Sequence, residues 1–537
     1  MASLPLQAMD LTSLQAVLAE LRPAALPSRF EKAQQPDGQT VQLGFRTLQG
    51  RLWLELSWLA EAPRLLAVDP PPRLGDGSTL AQQLQHGLSG LALVSLEQSG
   101  WERVVELGFA PRPGEALRRS LVLELMGRHS NLFLLDQERR VVAAARQVRQ
   151  QQSRLRPIGT GDLYSPPPPL SGTPPSRDES FAHWQQQLRL LPLPLKQALQ
   201  SAYQGISPAL ALQLAGDQPE PASALLRQPV QELSDGAWQQ LWQRWQQWLS
   251  ALQRQQFQFQ SGGSSAYRCW EPAESGSDSG TSRSATSSGP LPINQALAAY
   301  HHQILQGRQL QQRRQYLQQR LQQALEREQQ QASQQQALLD QVDSSDQYQQ
   351  QADALLCLAR PSREQVSEAQ ALYQRARKLR RSVAAITPRL EQHDQRIAEL
   401  EASLTYLEQL GDTASSETFS QLQALEDDSQ ELLQPRHRRQ RNRGRSEQGT
   451  PIPLELASPG GLRLQVGRNH RQNEWISLRQ ARRGDLWFHA QEQPGSHVVL
   501  KGSEQLAGDG DLQAAADLAA HLSRSRGNRK EIGRAHV

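Results

Sequence analysis

The sequence predicts a multidomain α+β protein, because three kinds of hydrophobic pattern follow one another along the chain. The first part alternates between helical and strand-like spacing, and the segment 293–407 keeps a helical spacing throughout. The last part returns to short strand-like runs. The chain has 537 residues, and a domain usually holds about 100–200 residues, so several domains are expected.

Residues 1–170 are predicted to form an α+β domain. The segment 11–21 has the apolar spacing of a helix. The segments 41–45 and 52–56 have the alternation of two strands, and Gly50 between them indicates a turn.

The second half of this domain is expected to contain one more helix and a hairpin. A helix is predicted over 115–126 with Gly127 as its stop, from the fourfold spacing of Leu117, Leu121 and Leu125. The segments 131–135 and 141–145 are predicted to pair as a β-hairpin.

Residues 171–260 are predicted to form a helical domain similar to helix–hairpin–helix units. Four tryptophans repeat at helical spacing and are interpreted as packing core rather than as a platform for stacked bases: Trp238, Trp242, Trp245 and Trp248. The segment 204–208 (QGISP) predicts a tight turn between two short helices. Helix N-termini at such turns can offer backbone N–H groups to phosphates.

A Gly/Ser-rich flexible linker is predicted over 261–290. A long antiparallel coiled-coil hairpin is predicted over 291–412, with arms at 310–342 and 372–407 around a break at Pro361. An arm of about 45 residues would reach roughly 70 Å. The alternative is a coiled coil that serves only as a dimerisation device.

Residues 413–450 are predicted to be a linker that is first acidic and then rich in arginine. Its basic run attracts a polyanion or, alternatively, is only solvated; it contains Arg436, Arg438, Arg439, Arg441, Arg443 and Arg445. Residues 451–537 are predicted to form a small α/β module with an amide- and guanidinium-rich loop.

Composition narrows the class of protein. The net charge is +4, and the two cysteines are too few and too far apart for a disulfide framework or a cysteine metal site. The sequence has no apolar run of membrane-spanning length and no recognisable signal peptide, so a soluble, cytoplasmic protein is expected.

The last seven residues, EIGRAHV at 531–537, would be encoded by GAG-ATC-GGA-AGA-GCA-CAC-GTC. Those codons match the start of a widely used sequencing adapter. We therefore expect that the natural chain continues and that the C-terminal module is truncated here.

The whole chain resembles the NFACT family, whose members are also known as fibronectin-binding proteins. The resemblance is carried by short motifs in the order of the family: RFEK at 29–32, ERVV at 102–105, ELMGRHSNL at 124–132, INQAL at 293–297, and 467–500 (GRNHRQNEWISLRQARRGDLWFHAQEQPGSHVVL). It implies an N-terminal domain similar in fold to that of formamidopyrimidine-DNA glycosylase, and a C-terminal NFACT-R module.

The resemblance also implies a function, namely that of a ribosome-associated quality-control factor. Such proteins bind large ribosomal subunits (rRNA) obstructed by peptidyl-tRNA, recruit alanyl-tRNA and extend the stalled nascent chain without mRNA. The protein is then expected to act as a monomer on the ribosome, away from membranes, with no cofactor and no enzymatic activity of its own. The alternatives are a fibronectin-binding surface adhesin and a glycosylase-like repair protein.

The residues expected to bind tRNA lie in the N-terminal domain: Glu102, Arg103, Arg128, His129, Ser130 and Asn131. Glu102 stands where the family has Asp, and the alternative for this pair is a cross-strand salt bridge. The alternative for Arg128 is a local ion pair with Glu124, four residues earlier.

The residues expected to contact rRNA lie in the C-terminal module: Arg468, Asn469, Arg471, Gln472, Asn473, Asp485, Trp487, His489 and His497. Planar amides and guanidinium groups suit phosphates and base edges. His489 and His497 have no third ligand nearby in the sequence, so no metal site is expected.

Overall fold

The structure is a computed structural model. It describes residues 6–73, 78–151, 153, 155–270, 291–340, 344–358, 360–411, 413–433, 453–491, 493–503 and 505–524. Packing divides the chain into two compact units, Met1–Ile304 and Leu305–Val537. None of the described helices is long and apolar enough to cross a lipid bilayer.

The first unit is built on one antiparallel sheet. Its strands are β1 Ser28–Asp37, β2 Thr40–Thr47, β3 Gly50–Ser57, β4 Arg64–Val68, β5 Ala92–Gln98, β6 Val104–Ala110, β7 Arg119–Glu124, β8 Asn131–Leu135 and β9 Val141–Ala144. They form a nine-stranded sheet in the order β4-β3-β2-β1-β5-β6-β7-β8-β9. Helices α1 Leu11–Ala25 and α2 Thr79–Leu88 pack their buried leucines into the same apolar core as the strands. The predicted helix at 11–21, the strands at 41–45 and 52–56, and the hairpin at 131–145 are confirmed.

The helix predicted over 115–126 is wrong. Residues Arg119–Glu124 form β7, which pairs with β6 on one side and β8 on the other. Leu121, Val122 and Leu123 are all buried, so both faces of the strand are covered. The fourfold leucine spacing suggested a helix, but four is also a multiple of the two-residue period of a strand.

Five helices follow the sheet: α3 Phe181–Leu188, α4 Leu195–Ala202, α5 Pro208–Ala215, α6 Pro219–Arg227 and α7 Asp235–Arg254. Three of the four stripe tryptophans on α7 are fully buried, and Trp242 packs against the same core. Trp184 of α3 lies between them, 5.7 Å from the ring of Trp245. The interpretation of the stripe as helix-packing core is confirmed.

The flexible linker predicted over 261–290 is wrong for its first ten residues. Strands β10 Gln260–Ser261 and β11 Tyr267–Arg268 form a small hairpin. The side chains of Tyr267 and Trp270 are completely buried, because they pack into the sheet core and the helical core respectively. The rest of the predicted linker, 271–290, lies outside the described residues.

The start of the next helix, α8 Pro292–Asp340, is built into the first unit. The carboxylate of Glu20 accepts hydrogen bonds from the backbone N–H groups of Ile293 and Asn294 at 2.9 and 3.0 Å. The buried Asn294 side chain in turn accepts one from the N–H of Ala67 in β4 at 2.9 Å. The family motif INQAL therefore anchors this helix to the sheet.

The long helices form an antiparallel hairpin. After α8 come α9 Ser344–Leu356, α10 Arg363–Gln409 and α11 Ser416–Leu433. Glu328 of α8 pairs with His393 of α10, and Asp346 of α9 pairs with Arg380, so α10 runs back along both. The exposed Cys357 directly follows α9, close to the turn of the hairpin. The heptad packing expected of a coiled coil stays a prediction.

The linker predicted over 413–450 is wrong where α11 lies. Leu422 and Leu425 of α11 are buried against Leu321 of α8 and Leu400 of α10, so the base of the hairpin is a three-helix core. The arginine run 436–445 lies outside the described residues, and its role as a polyanion-binding segment stays a prediction.

The C-terminal module has a four-stranded antiparallel sheet. Its strands β12 Leu454–Ala457, β13 Arg463–Val466, β14 Leu486–Phe488 and β15 Val498–Leu500 lie in the order β12-β13-β15-β14. Helix α13 Asp509–His521 packs on one face through Ala515 and Ala519. Helix α12 His470–Glu474 continues into the π-helical segment Trp475–Gln480, which precedes β14.

Candidate nucleic-acid interface

A cleft of about 400 Å³ opens in the first unit, where the sheet meets the helical layer. It is lined by Asp10 at the start of α1, by the loop 101–103, by Met126, by the segment 167–171 and by the turn 203–208. The sequence-predicted pair Glu102 and Arg103 thus lies beside the sequence-predicted turn, although about a hundred residues separate them in the chain.

Arg103 directly precedes β6 and is half-buried. Its Nη1 donates a long hydrogen bond of 3.4 Å to the backbone carbonyl of Met9. The other donors of this side chain meet no acceptor in the part of the chain that the structure describes. Because a guanidinium carries five N–H donors, most of the donors of Arg103 are available to a ligand.

Glu102 is used differently. Its Oε1 accepts a hydrogen bond of 3.0 Å from the N–H of Leu170, which holds the proline-rich segment at the rim of the cleft. Glu102 and Arg103 form no salt bridge with each other or with a neighbouring strand among the described residues. The cross-strand pair that was the alternative interpretation is therefore absent there.

The turn at 204–208 is tied to α1. The hydroxyl of Ser207 donates to Oδ2 of Asp10 at 2.8 Å, and the same hydroxyl caps α5 by accepting from the N–H of Leu210. Gly205 has a φ of +76°, and a Cβ there would lie 2.8 Å from the ring of Trp101. A left-handed backbone and this close approach both require glycine. Sequence reasoning missed Asp10 and Trp101, because nothing local marks them.

The loop 127–131 presents two side chains and buries two. Arg128 and His129 are exposed and hydrogen-bond to each other at 3.0 Å. Ser130 is fully buried, and its hydroxyl accepts from the N–H of Met126 at 2.8 Å. The buried Asn131 amide bonds to the N–H and the carbonyl of Arg146. The two buried residues therefore fix the loop.

Glu124 does not pair with Arg128, so that alternative interpretation is wrong. Its buried carboxylate accepts two hydrogen bonds from the guanidinium of Arg156 and one of 2.9 Å from the hydroxyl of Tyr164. Burial first, and then the nearby Glu124 charge, raise the pKa of Tyr164 well above its usual range. This network joins β7 to the chain that leads into the proline-rich rim of the cleft.

In the second unit, the motif at 468–473 turns mostly inward. Asn469 and Gln472 are buried: the Asn469 side chain caps α12 by accepting from the N–H of Gln472 at 2.8 Å. The Gln472 side chain accepts from the N–H of Arg468 at 3.0 Å. The buried Asn473 amide accepts from the N–H of His497 and donates to the carbonyl of Gly495. These amides satisfy backbone groups at the start of α12 and just before β15.

The two arginines of the motif contact the long helices α11 and α10. Arg471 forms an ion pair with Asp428 of α11 at 3.2 Å. The guanidinium of Arg468 lies 5.9 Å from the centre of the Tyr406 ring, in a cation–π contact. Its buried Nε has no hydrogen-bond partner in the described part of the chain.

Trp487, His489 and His497 form an aromatic cluster at the β14–β15 edge. Ring centres lie 4.9 Å apart for the two histidines and 5.1 Å apart for Trp487 and His497. Burial lowers the pKa of His489; burial and then the neighbouring His489 lower that of His497 to about 4. Both rings are therefore uncharged near neutral pH. No group of three or more His, Cys, Asp or Glu among the described residues could hold a metal ion.

The sequence assigns Asp485 to the RNA interface, but the structure places it in an internal ion pair. Its carboxylate is 1% exposed and lies 2.9 Å from Nζ of the buried Lys501. Burial raises its pKa, but hydrogen bonds from Ser503 and Lys501 outweigh burial and lower the pKa to about 2. In this conformation Asp485 anchors the strand edge and does not face a partner.

The fold is that of a multidomain α+β protein with a long helical hairpin, and its first unit holds a cleft lined in part by Arg103. The model of the NFACT N-terminal and middle domains matches residues 10–365, more than half of the chain. The chain therefore belongs to the NFACT family. Membership supports, for the family as a whole, the role in ribosome-associated quality control that the sequence resemblance implies.

The chain is also similar to named relatives and to a solved structure. The chain is 25% identical over 526 residues to the Rqc2 homolog RqcH of Streptococcus pneumoniae, covering 95% of this chain and 89% of the relative. It is 29% identical over 149 residues to the Rqc2 homolog RqcH of Bacillus subtilis, and this match covers 28% of this chain and 25% of the relative. The N-terminal part of the fibronectin/fibrinogen-binding protein of Streptococcus suis is 19% identical, with a TM-score of 0.41, over 55% of this chain and 99% of that structure.

Proposed function

We propose that this protein binds large ribosomal subunits obstructed by peptidyl-tRNA, recruits a tRNA and promotes mRNA-independent extension of the stalled chain. Alanyl-tRNA is the proposed tRNA, and the added tail is proposed to mark the chain for degradation. The proposal rests on membership of the NFACT family and on one structural observation, the largely unspent guanidinium of Arg103 in the cleft.

The cleft suits a nucleic acid for a physical reason. An arginine that keeps most of its donors can bind a phosphate or a base edge through two hydrogen bonds at once. Here that arginine directly precedes β6 of the sheet, and Met126, which follows β7, lines the same cleft. The exposed Arg128 and His129 come two and three residues after Met126 in the chain. Rigid placement limits the entropy that binding would cost.

Within this proposal the predicted tRNA-binding residues divide into two groups. Arg103, Arg128 and His129 are proposed to contact the tRNA, since their side chains reach solvent. Ser130 and Asn131 are proposed to position the loop, because both are buried and bonded internally. Glu102 is proposed to hold the cleft rim through Leu170.

We propose no catalytic side chain. In a tailing reaction the peptide bond is formed by ribosomal RNA, so the protein has only to hold two substrates in place, which by itself accelerates a reaction. For the same reason we propose that the C-terminal module contributes to rRNA binding. Arg468 and Arg471 would supply positive charge. The aromatic cluster of Trp487, His489 and His497 would supply a surface on which bases stack, as in other RNA-binding proteins.

The experiment that tests this function is a pull-down of the tagged full-length chain, followed by sequencing of the bound RNA. We expect large-subunit rRNA together with one enriched tRNA species, whose identity names the amino acid of the tail. Recovery of both ribosomal subunits without an enriched tRNA would contradict the proposal.

A further inference from the structure

Helix α11 places one carboxylate against the amide- and guanidinium-rich motif of the C-terminal module. Oδ2 of Asp428 accepts a hydrogen bond from Nδ2 of Asn469, and Oδ1 accepts one from Nη1 of Arg471 at 3.2 Å. The Asp428 side chain is only 12% exposed. Asp428 thus binds two residues that lie 41 and 43 positions further along the chain.

The geometry of this contact is that of anion recognition. Each oxygen of the carboxylate receives one donor, an amide on one side and a guanidinium on the other. A phosphodiester also presents two oxygens that share a negative charge, although on a tetrahedral phosphorus, and Arg and Asn side chains donate hydrogen bonds to them. Asp428 therefore occupies donors that would suit a phosphate of RNA.

The motif also holds more positive charge than Asp428 neutralises. Arg468 lies next to Asn469 in the chain and is held by the ring of Tyr406, and its buried Nε has no hydrogen-bond partner among the described residues. A buried donor without an acceptor costs free energy, which an incoming acceptor would recover. The contact with Asp428 thus leaves cationic capacity unused.

Asp428 is not held as firmly as Asp485, another aspartate of this unit whose side chain is largely covered. Burial is the largest influence on Asp428 and raises its pKa, although Arg471 and Asn469 favour the charged form. For Asp485 the balance is reversed, and the pKa falls to about 2. The protein therefore stabilises the charge of Asp485 and tolerates that of Asp428, as expected for a contact that can open.

We propose that Asp428 is an internal competitor for RNA: its carboxylate occupies the phosphate-binding donors Asn469 and Arg471 until RNA displaces it. Displacement would free the motif from α11, so the module would bind RNA in an open state that the free chain populates little. This inference rests on the proposed RNA-binding function of the module and adds its regulation.

The proposal has a quantitative consequence. The apparent affinity of a ligand is reduced by the fraction of protein in the competent state. Removing the competitor should therefore raise RNA affinity by the coupling factor, which for linked sites is about 5- to 150-fold. Coupling is reciprocal, so RNA should weaken the contact between the motif and α11 by the same factor.

The test compares Asp428→Asn with Asp427→Asn in the full-length chain. Asp427 is the adjacent exposed carboxylate of α11, so its variant removes the same charge without touching the motif. Binding of a fluorescently labelled short RNA hairpin is measured by titration. We expect Asp428→Asn to bind at least about fivefold more tightly than Asp427→Asn.

Hydrogen exchange supplies a readout that does not depend on affinity. RNA added to the original chain should speed exchange in α11 at 422–432, and Asp428→Asn should show fast exchange there without RNA. Unchanged exchange in the nine-stranded sheet confirms that the variant folds.

The outcomes separate the two proposals. If the original chain binds the hairpin and Asp428→Asn binds no more tightly than Asp427→Asn, the competitor role is overturned and the RNA-binding function stands. If neither the original chain nor either variant binds the hairpin, RNA binding by this motif is overturned, and the competitor role with it.

Discussion

Two short polar segments of similar composition use their side chains in opposite ways. In the first unit, the loop 128–131 exposes Arg128 and His129 and buries only two short polar residues beneath them. In the second unit, all three amide side chains of the motif 468–473 are buried, and Arg471 forms an ion pair with Asp428. Buried polar groups must be paired, so amide-rich sequence predicts either a ligand site or a backbone that needs acceptors.

The comparison predicts that removing a polar side chain that reaches solvent changes function more, whereas removing a buried and paired polar group changes stability more. The largest effect is expected for Arg103→Ala, which should abolish tRNA-dependent tailing and leave binding to the large subunit nearly intact. The reason is that its guanidinium forms only one long hydrogen bond with the described part of the protein, so its loss should disturb the fold little. Arg112→Ala is the matched control, because Arg112 is an exposed arginine just beyond the other end of β6. Equal loss of tailing and subunit binding would show that Arg103 does not separate the two.

The next largest effect is expected for Glu124→Ala. Removing one partner of a buried ion pair typically costs about 3–5 kcal/mol, because the other charge stays buried without compensation. Hydrogen exchange in the full-length chain should therefore accelerate at 155–165 and in β7. Glu138→Ala, at a side chain 80% exposed, should change exchange little. Tailing lost without any change in exchange would instead make Glu124 a direct contact.

A smaller effect is expected for Asn473→Ala, which leaves the N–H of His497 and the carbonyl of Gly495 unpaired. Unsatisfied buried groups cost about 1–3 kcal/mol each, so exchange should accelerate in β15. The neighbouring exposed Glu474→Ala is the control. If Asn473→Ala lowered RNA affinity and left exchange unchanged, the motif would resemble the loop 128–131 and the contrast between the two segments would fail.

The smallest effect is expected from pH. The pKa of His497 in the folded protein is lowered from 6.5 to about 4, so the unfolded chain binds a proton more readily than the folded one. Stability of the module should be complete above about pH 6.5 and fall as the pH drops towards 4, by about 1 kcal/mol between pH 7 and 5.5. Exchange in β14 and β15 measures this; His497→Gln should flatten the dependence, and the exposed His521→Gln should leave it unchanged.

Strands with alternating patterns and clear turns were predictable from the sequence, and so was the tryptophan core. The segment 119–124 was not, because leucines four apart fit both periods. Helix α11 had a usable signal, since Leu422, Leu425 and Leu432 follow helical spacing. The acidic residues around them favoured a linker instead.

The candidate sites were predictable only in part. Arg103 and the turn at 204–208 carry local signals, but Asp10 joins them through a contact 197 positions away in the chain. Asp428 likewise meets the C-terminal motif through tertiary packing. Composition indicates which donors are present, whereas the fold decides which of them are already paired.

The position of Cys357 has a practical consequence for studying the hairpin. The chain contains two cysteines, and Cys269 is buried in the core of the first unit while Cys357 is exposed beside the hairpin turn. Thiol reactivity requires access to solvent, so a maleimide dye should label Cys357 selectively in the folded protein. The unaltered chain thus offers a single attachment point for fluorescence measurements.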